Sequence, residues 1–302
     1  MDNTHISKHL GKASEYKSTY DASLLVREPR ASNRVHLNID NAKLPFVGYD
    51  TWNAYEVSCL TTGGQPVTAI AKLVYNCNSE YIVESKSLKL YLNTFNMTKL
   101  EATPALSLDK MTKMIQEDLT ALLITPVEVS LATNKDTIKH NSKSNSIITW
   151  QIHQSQLYKT LEDTINVECT VYSETPELLQ IENSVEDFHC YHSSLLKSNC
   201  RVTQQPDWGD VYIYLKGKKT VTDESLLKYI ISFRDECHFH EEICETIYVR
   251  LSNLLSPDEL FVRCLYARRG GIDINPQRAS SEDQLDKALK DCNKIHTKTP
   301  KQ

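Results

Sequence analysis

Apolar residues recur along this chain with two different periods, and the switches between them mark its elements. From Ala54 to Leu60 and from Val67 to Tyr75 the pattern is that of strands, turned at Gly63-Gly64. The run Leu44-Pro45-Phe46-Val47-Gly48-Tyr49-Asp50 leads past Trp52 into the first of these, and Tyr81-Ile82-Val83 follows the second. Within residues 108–123, Met111, Ile115, Leu119 and Leu122 stand at helical spacing, and Val127-Val129-Leu131 returns to a strand. Val211-Ile213-Leu215 predicts another strand, residues 241–254 a helix, and Phe261-Arg263-Leu265 a strand after it. The polar stretch 1–35 reads as an arm or lid, and 133–146 as a loop between modules. After Pro276 a disordered extension is expected, rather than a short helix about Leu285, Ala288 and Leu289.

The second half repeats the order of the first. Ser87, Leu88, Tyr91 and Phe95 fall on Ser225, Leu226, Tyr229 and Phe233, all at an offset of 138, with Val83 on Val221. Cys59 with Gln65-Pro66 falls near Cys200 with Gln205-Pro206. This points to a duplicated module of two strands, helices and further strands, hence an α+β fold with an antiparallel sheet and its helices on one face. Residues 1–145 are read as the first module with its arm, 146–278 as the second, and 279–302 as a polar tail.

A chain of 302 residues can bury a sizeable core. Its net charge of -5 exerts no general pull toward nucleic acid or anionic membrane. No apolar run approaches the ~20 residues of a membrane span, and Met1-Asp2-Asn3-Thr4-His5 has no signal-peptide character. Nine irregularly spaced cysteines suggest free thiols in a reducing compartment, so a cytoplasmic location.

The candidate chemistry lies where the modules differ. Ser198-Asn199-Cys200 and Gln205-Pro206-Asp207-Trp208-Gly209 place a thiol and a carboxylate seven residues apart around a turn, where a hairpin can bring them to one rim. A thiolate is a strong nucleophile, and a carboxylic acid can deliver the proton an addition needs. A buried inert cysteine beside a turn aspartate is the plainer alternative. The first module carries Glu84-Ser85-Lys86 where the second has Thr222-Asp223-Glu224, and the second adds Cys237-His238-Phe239-His240-Glu241-Glu242. Taken alone, Glu84 and Lys86 also fit a solvated charge pair, and Glu241 a first-turn helix carboxylate. The complementary losses suggest one site assembled from both halves.

Four segments, in order, carry a resemblance: Glu84 to Tyr91, Lys197 to Cys200 with Gln205 to Gly209, Phe239-His240-Glu241, and Arg268-Arg269-Gly270-Gly271-Ile272-Asp273-Ile274-Asn275-Pro276. In these the chain resembles the NADPH-dependent 7-cyano-7-deazaguanine reductases, the nitrile reductases of queuosine biosynthesis, in their long two-module form. The likeness runs from near Tyr16 to Pro276. It implies the tunnelling fold, whose modules associate into a β-barrel with sites at their interfaces, and a homodimer without nucleic acid or membrane partners. It also implies Cys200 as the nucleophile forming a covalent thioimide and Asp207 as the acid that protonates the nitrile nitrogen. Glu241, His240, Val83, Glu84 and Ser85 are then substrate contacts, Glu241 accepting the ring N–H and exocyclic amine side by side. Ser85, Lys86, Arg269 and Gly270 meet the phosphates of NADPH, two of which are consumed per turnover. By analogy with tunnelling-fold relatives, the half-sites are expected to meet across the dimer interface. Ile243 stands where many relatives carry a cysteine, with Cys244 one place later, so a protective disulfide with Cys200 is not implied here.

No Gly-x-Gly-x-x-Gly fingerprint is present, so a Rossmann domain is not implied. Cys237-His238-Phe239-His240 and His189-Cys190-Tyr191-His192 are rich in metal-ligand types but lack paired Cys-x-x-Cys spacing, and no metal is expected. The alternatives are a zinc-dependent pterin or purine hydrolase of the GTP cyclohydrolase type, and a catalytically silent purine-binding module. The latter has no need of both Cys200 and Asp207.

Overall fold

The computed structural model describes residues 17–133, 158–201, 203–294 and 298–302. The expected inter-module loop at 133–146 and the boundary near 145 lie outside the described residues, apart from Thr133. After β1 (Arg27–Pro29) and α1 (Arg30–Arg34), the first half runs β2 (Val47–Leu60), β3 (Pro66–Asn76), β4 (Tyr81–Val83), α2 (Ser85–Asn93), α3 (Pro104–Leu123) and β5 (Val127–Ala132). The second runs β6 (Lys159–Thr160), α4 (Leu161–Thr164), β7 (Ile181–Asn183), β8 (His189–Asn199), β9 (Pro206–Lys216), β10 (Lys219–Val221), α5 (Asp223–Ser232), α6 (His240–Leu255), β11 (Glu259–Tyr266) and β12 (Ile272–Ala279).

The internal repeat extends to individual hydrogen bonds. Glu84 caps α2 and Thr222 caps α5, 138 positions apart, each accepting main-chain N–H groups of the first turn. Ser87 Oγ donates to the Glu84 carbonyl at 2.7 Å and Ser225 Oγ to the Thr222 carbonyl at 2.9 Å. Tyr91 and Phe95 meet edge to face, as do Tyr229 and Phe233. Irregularities interrupt β2 between Ala54 and Val57, and β8 between Ser193 and Leu196. In α3 the buried stripe is Met111, Ile115, Leu119 and Leu123. The stripe therefore closes on Leu123, with the expected Leu122 only half-buried.

One eight-stranded sheet joins both halves in the order β5-β3-β2-β12-β11-β9-β8-β6. The order β5-β3-β2 is mirrored in β11-β9-β8, and β12 stitches the two sets together by pairing with β2 on one side and β11 on the other. The sheet is mixed, because β6 pairs parallel with β8 at one edge while the other pairs are antiparallel. Each half packs its helices on its own apolar cluster, and the first cluster borrows Ile272 and Ile274 from β12.

In its described residues the tail is packed against the sheet, where a disordered extension was expected. Past β12, a short helix α7 (Lys287–Lys290) lies on the sheet face opposite α2 and α3, with Leu285, Leu289 and Cys292 buried. A largely polar tail can pack here because the face beneath it is polar too. Lys72, 5 % exposed, donates through Nζ to the carbonyls of Ala288 (2.5 Å), Asp291 (2.7 Å) and Lys294 (2.7 Å), and Thr51 Oγ1 donates to that of Leu289 (2.8 Å). Few apolar positions mark such docking, so hydropathy alone misses it.

Lys72→Met should therefore release the tail without unfolding the sheet. Charge-assisted hydrogen bonds contribute roughly 1.5–3 kcal/mol, so amide exchange across residues 286–294 should accelerate about 10- to 100-fold. Exchange in β2 and β3 should stay slow. Unchanged protection of 286–294 contradicts the docking role of Lys72.

Candidate active site

The β8–β9 hairpin is closed by Asn199 opposite Pro206 and Ser198 opposite Asp207, and the turn between them carries Cys200. Two backbone bonds shape this turn, Cys200 N–H to the Gln205 carbonyl at 2.9 Å and Gln204 N–H to the Cys200 carbonyl at 3.0 Å, with Gln204 left-handed at φ 58°. The turn faces the N-terminus of α2 from the first half and that of α6 from the second. Between them lies a cavity of about 260 Å³. Its lining includes every site residue expected from the sequence: Val83, Glu84, Ser85 and Lys86, Cys200 and Asp207, His240 and Glu241, Arg269 and Gly270. The two half-sites thus meet within one chain, not across the subunit boundary expected above. The cause is β12, which brings β2 of the first half beside β11 of the second.

Asp207 is 4 % exposed and held from two sides. Arg269 donates through a terminal nitrogen to Oδ1, and His240 Nε2 lies 3.4 Å from Oδ2. Burial alone raises a carboxyl, but here the contact and charge of His240, then those of Arg269, outweigh it and hold Asp207 below the usual carboxylate range. Arg269 also donates to Thr203 Oγ1 at 3.1 Å and Gln205 Oε1 at 2.6 Å, and it interacts with Cys200. The guanidinium expected from sequence to meet a cofactor phosphate thus braces the turn that carries Cys200. His240 stacks on Tyr266, ring centroids 3.9 Å apart.

Glu241 is the opposite case. It is 3 % exposed, and its Oε1 has no hydrogen-bonding partner among the described residues. Burial, reinforced by Asp50 and only partly offset by His240 and Arg30, pushes its carboxyl up to about 7. Such a group is suited to a ligand that brings its own N–H donors. Glu84, by contrast, spends both oxygens on α2, accepting from Lys86 N–H at 2.9 Å and Ser87 N–H at 2.7 Å. It lines the cavity and caps the helix at once.

Sequence reasoning did not assign Lys89, Arg201, Thr203 or Gln205 to this cavity. Lys89 was within reach of it, standing one helical turn beyond Lys86 on the same side of α2. Burial and the neighbouring Arg269 lower its ammonium pKa. The histidines of the other ligand-rich motif are engaged elsewhere, His189 with Ser184 and His192 between Thr160 and Asp210. Cys244 lies wholly buried against the carbonyls of Val262 and Pro276, away from Cys200. None of the nine cysteines is in a disulfide, and among the described residues no helix is long and apolar enough to cross a membrane.

The chain is similar to known proteins along most of its length. The family described as "Nitrile reductase, 7-cyano-7-deazaguanine-reductase N-term" matches residues 16–131, and that described as "QueF-like protein" matches residues 206–285. A protein of Ralstonia nicotianae named NADPH-dependent 7-cyano-7-deazaguanine reductase is 41% identical over 275 residues, covering 90% of this chain and 92% of its own. Proteins of the same name from Legionella pneumophila (37% over 281 residues, 92% and 91% covered) and Colwellia psychrerythraea (39% over 293 residues, 93% and 94% covered) are similar to it as well. With both family segments in order and this identity along nine-tenths of its length, the chain belongs to the NADPH-dependent 7-cyano-7-deazaguanine reductases.

Proposed function

We propose that the pocket between α2, α6 and the Cys200 turn reduces the nitrile of 7-cyano-7-deazaguanine to the aminomethyl group of 7-aminomethyl-7-deazaguanine, within tRNA queuosine biosynthesis. The observation that carries this reading is the pairing of two unlike carboxylates in one cavity with a thiol. Glu241 is buried with its Oε1 unpartnered among the described residues, while Asp207 is buried and ion-paired. Glu241 takes the ring N–H and exocyclic amine of the base in bidentate fashion. Val83, Glu84, Ser85 and His240 line the remainder of the base site.

The ionised state of Asp207 refines its part. The nitrile carbon is a poor electrophile, and Cys200 Sγ adds to it. The thiol proton passes to the Asp207 carboxylate and from there to the nitrile nitrogen, so the thioimide forms with no net gain or loss of protons. Asp207 is a base before it is an acid. Each of the two later hydride additions is matched by one proton, which the Asp207–His240 pair is placed to pass. The first reduction ends with expulsion of the Cys200 sulfur and leaves an imine, and the second gives the amine.

The rim fits an anionic cofactor. Lys86, Lys89 and Arg269 surround Gly270, whose φ of 53° is left-handed. A Cβ there would come within 3.3 Å of the Lys89 side chain, so a glycine keeps this backbone open to close approach. Ser85, Lys86, Arg269 and Gly270 would hold the phosphates of NADPH, which when bound supplies the hydride. Four electrons require two NADPH in succession. We take the enzyme to act in the cytoplasm as a homodimer whose sheets close into a barrel, a reading supported by the family resemblance and, for the compartment, by cysteines that form no disulfide.

Mixed with NADPH and 7-cyano-7-deazaguanine, the chain should lose absorbance at about 340 nm equivalent to two NADPH per amine formed. Without NADPH its mass should increase by that of the nitrile, and Cys200→Ala should abolish the adduct. No oxidation by folded protein, or a full adduct on Cys200→Ala, contradicts the mechanism. Asp207→Asn should slow adduct formation by about 10²–10⁴ while leaving the circular dichroism unchanged.

The raised Glu241 carboxyl fixes the sign of a pH dependence. Below about 7 the empty site is mostly protonated and offers one acceptor too few; above it the carboxylate accepts both N–H groups. The affinity of the Cys200→Ala variant for the nitrile should rise with pH by about tenfold per unit below that value and level off above it. Glu241→Gln should bind weakly with a flat profile. Calorimetric titration checks both, and affinity falling with rising pH contradicts the assignment.

A further inference from the structure

Glu242 follows Glu241 by one position and has no part in the chemistry above. It is 3 % exposed, and its carboxylate gathers donors from separate segments. Arg201 reaches Oε1 at 3.1 Å and Oε2 at 3.0 Å through one nitrogen, His238 Nδ1 lies 2.9 Å from Oε1, and the Phe239 N–H donates to Oε2 at 3.3 Å. The last contact is an ordinary capping one, in which a third-position carboxylate returns to the N-cap N–H. The others exceed what a cap needs, and the principal one goes to Arg201, 41 residues away and next to Cys200.

Arg201 in turn ties α1 to the start of α6. Its NH1 donates to Asn33 Oδ1 at 2.7 Å, and its guanidinium lies 5.3 Å from the centroid of the Phe239 ring. Among the described residues, the turn from Cys200 to Gln205 is also tied by its two internal bonds, by Asn199 N–H to the Glu236 carbonyl at 2.7 Å, by Cys237 Sγ to Gln204 Oε1 at 3.4 Å, by Arg201 Nε to the Cys237 carbonyl at 3.4 Å, and by Arg269. Consecutive residues on a helix point about 100° apart. One turn of α6 can therefore hold the base through Glu241 and the attacking loop through Glu242.

We infer that the Glu242–Arg201 pair is a positioning device that fixes the Cys200 turn against the recognition turn of α6, setting the distance between the nucleophile and a bound base. The inference rests on the reading that Cys200 attacks a nitrile whose base is held by Glu241. A misplacement of about 1 Å can cost about 10²-fold in rate. A carboxylate that merely capped α6 would instead affect stability and ligand affinity together.

The test separates rate from affinity on the intact chain. With 7-cyano-7-deazaguanine and no NADPH, quenched-flow mass spectrometry follows adduct formation; in a Cys200→Ala background, calorimetry reads affinity for the same compound. Arg201→Gln and Glu242→Gln should each slow the adduct about 10- to 100-fold while changing affinity less than about threefold. Arg201→Lys should recover part of the rate. The double variant should be little slower than Glu242→Gln alone, because both lesions break the shared Arg201–Glu242 contact that sets the turn. Adduct rates within threefold of the parent, or affinity falling in step with rate, overturn the inference. If Glu242→Gln does not fold, Arg201→Gln, on a half-exposed side chain, decides alone. Failure of the parent to form any adduct overturns the nitrile reading, and this inference with it.

Discussion

Arg278 is wholly buried, and its guanidinium spans the seam between the two halves of the chain. From β12 it donates to Asp50 Oδ1 in β2 at 2.9 Å and to Glu245 Oε1 in α6 at 2.7 Å and 3.1 Å. Arg30 and Arg34 from α1 complete the network, the first on Asp50 and the second on both oxygens of Glu245. Three guanidinium groups against two carboxylates leave no carboxylate oxygen of either acid without a donor. Buried ions in such number cost desolvation energy and are weak contributors to net stability, but removing one partner typically costs roughly 3–5 kcal/mol. What the network enforces is register: β2, β12, α1 and α6 satisfy these charges only in one arrangement. That arrangement places the N-termini of α2 and α6 across one cavity.

The same network reaches the chemistry through Glu241, one helical turn before Glu245. Asp50 reinforces the burial that raises Glu241, and Arg30 opposes it. Across the cavity Arg269 and His240 push Asp207 the other way. Two carboxylates in one pocket are thereby driven apart in acidity, the arrangement that lets one fold assign different tasks to like side chains. In the proposed reaction Glu241 accepts donors from the base and Asp207 a proton from the thiol. With His240, the Arg269 guanidinium holds Asp207 ionised, and it also braces the turn bearing Cys200.

Much of this was legible in the residues. The offset of 138 was visible because duplicated packing needs the same apolar, cap and turn residues at the same places, and the structure keeps even the Ser87 and Ser225 hydroxyl bonds. The site residues were legible through four short motifs, and all of them line one cavity. What escaped notice depended on partners remote in sequence. β12 gave no sign that it would bind β2 as well as β11. The tail docks through a few apolar residues, Leu285 and Leu289 among them, and through Lys72 on main-chain carbonyls, which carry no hydropathy. Nothing in the sequence sets Glu242 apart from an ordinary first-turn acid, because its partner Arg201 lies 41 residues away. The single-chain site was missed for a related reason: duplication shows that halves correspond, not how they meet.

The central claim is that one chain builds the whole pocket around Cys200. It is tested most directly by the crystal structure of the protein soaked with 7-cyano-7-deazaguanine in the absence of NADPH. The account predicts continuous density from Cys200 Sγ to the former nitrile carbon, the pyrimidine edge on Glu241, and Val83 to Ser85 of the same chain against the base. A base held by residues 83–85 of a neighbouring subunit, or a covalent bond to a different cysteine, would contradict it.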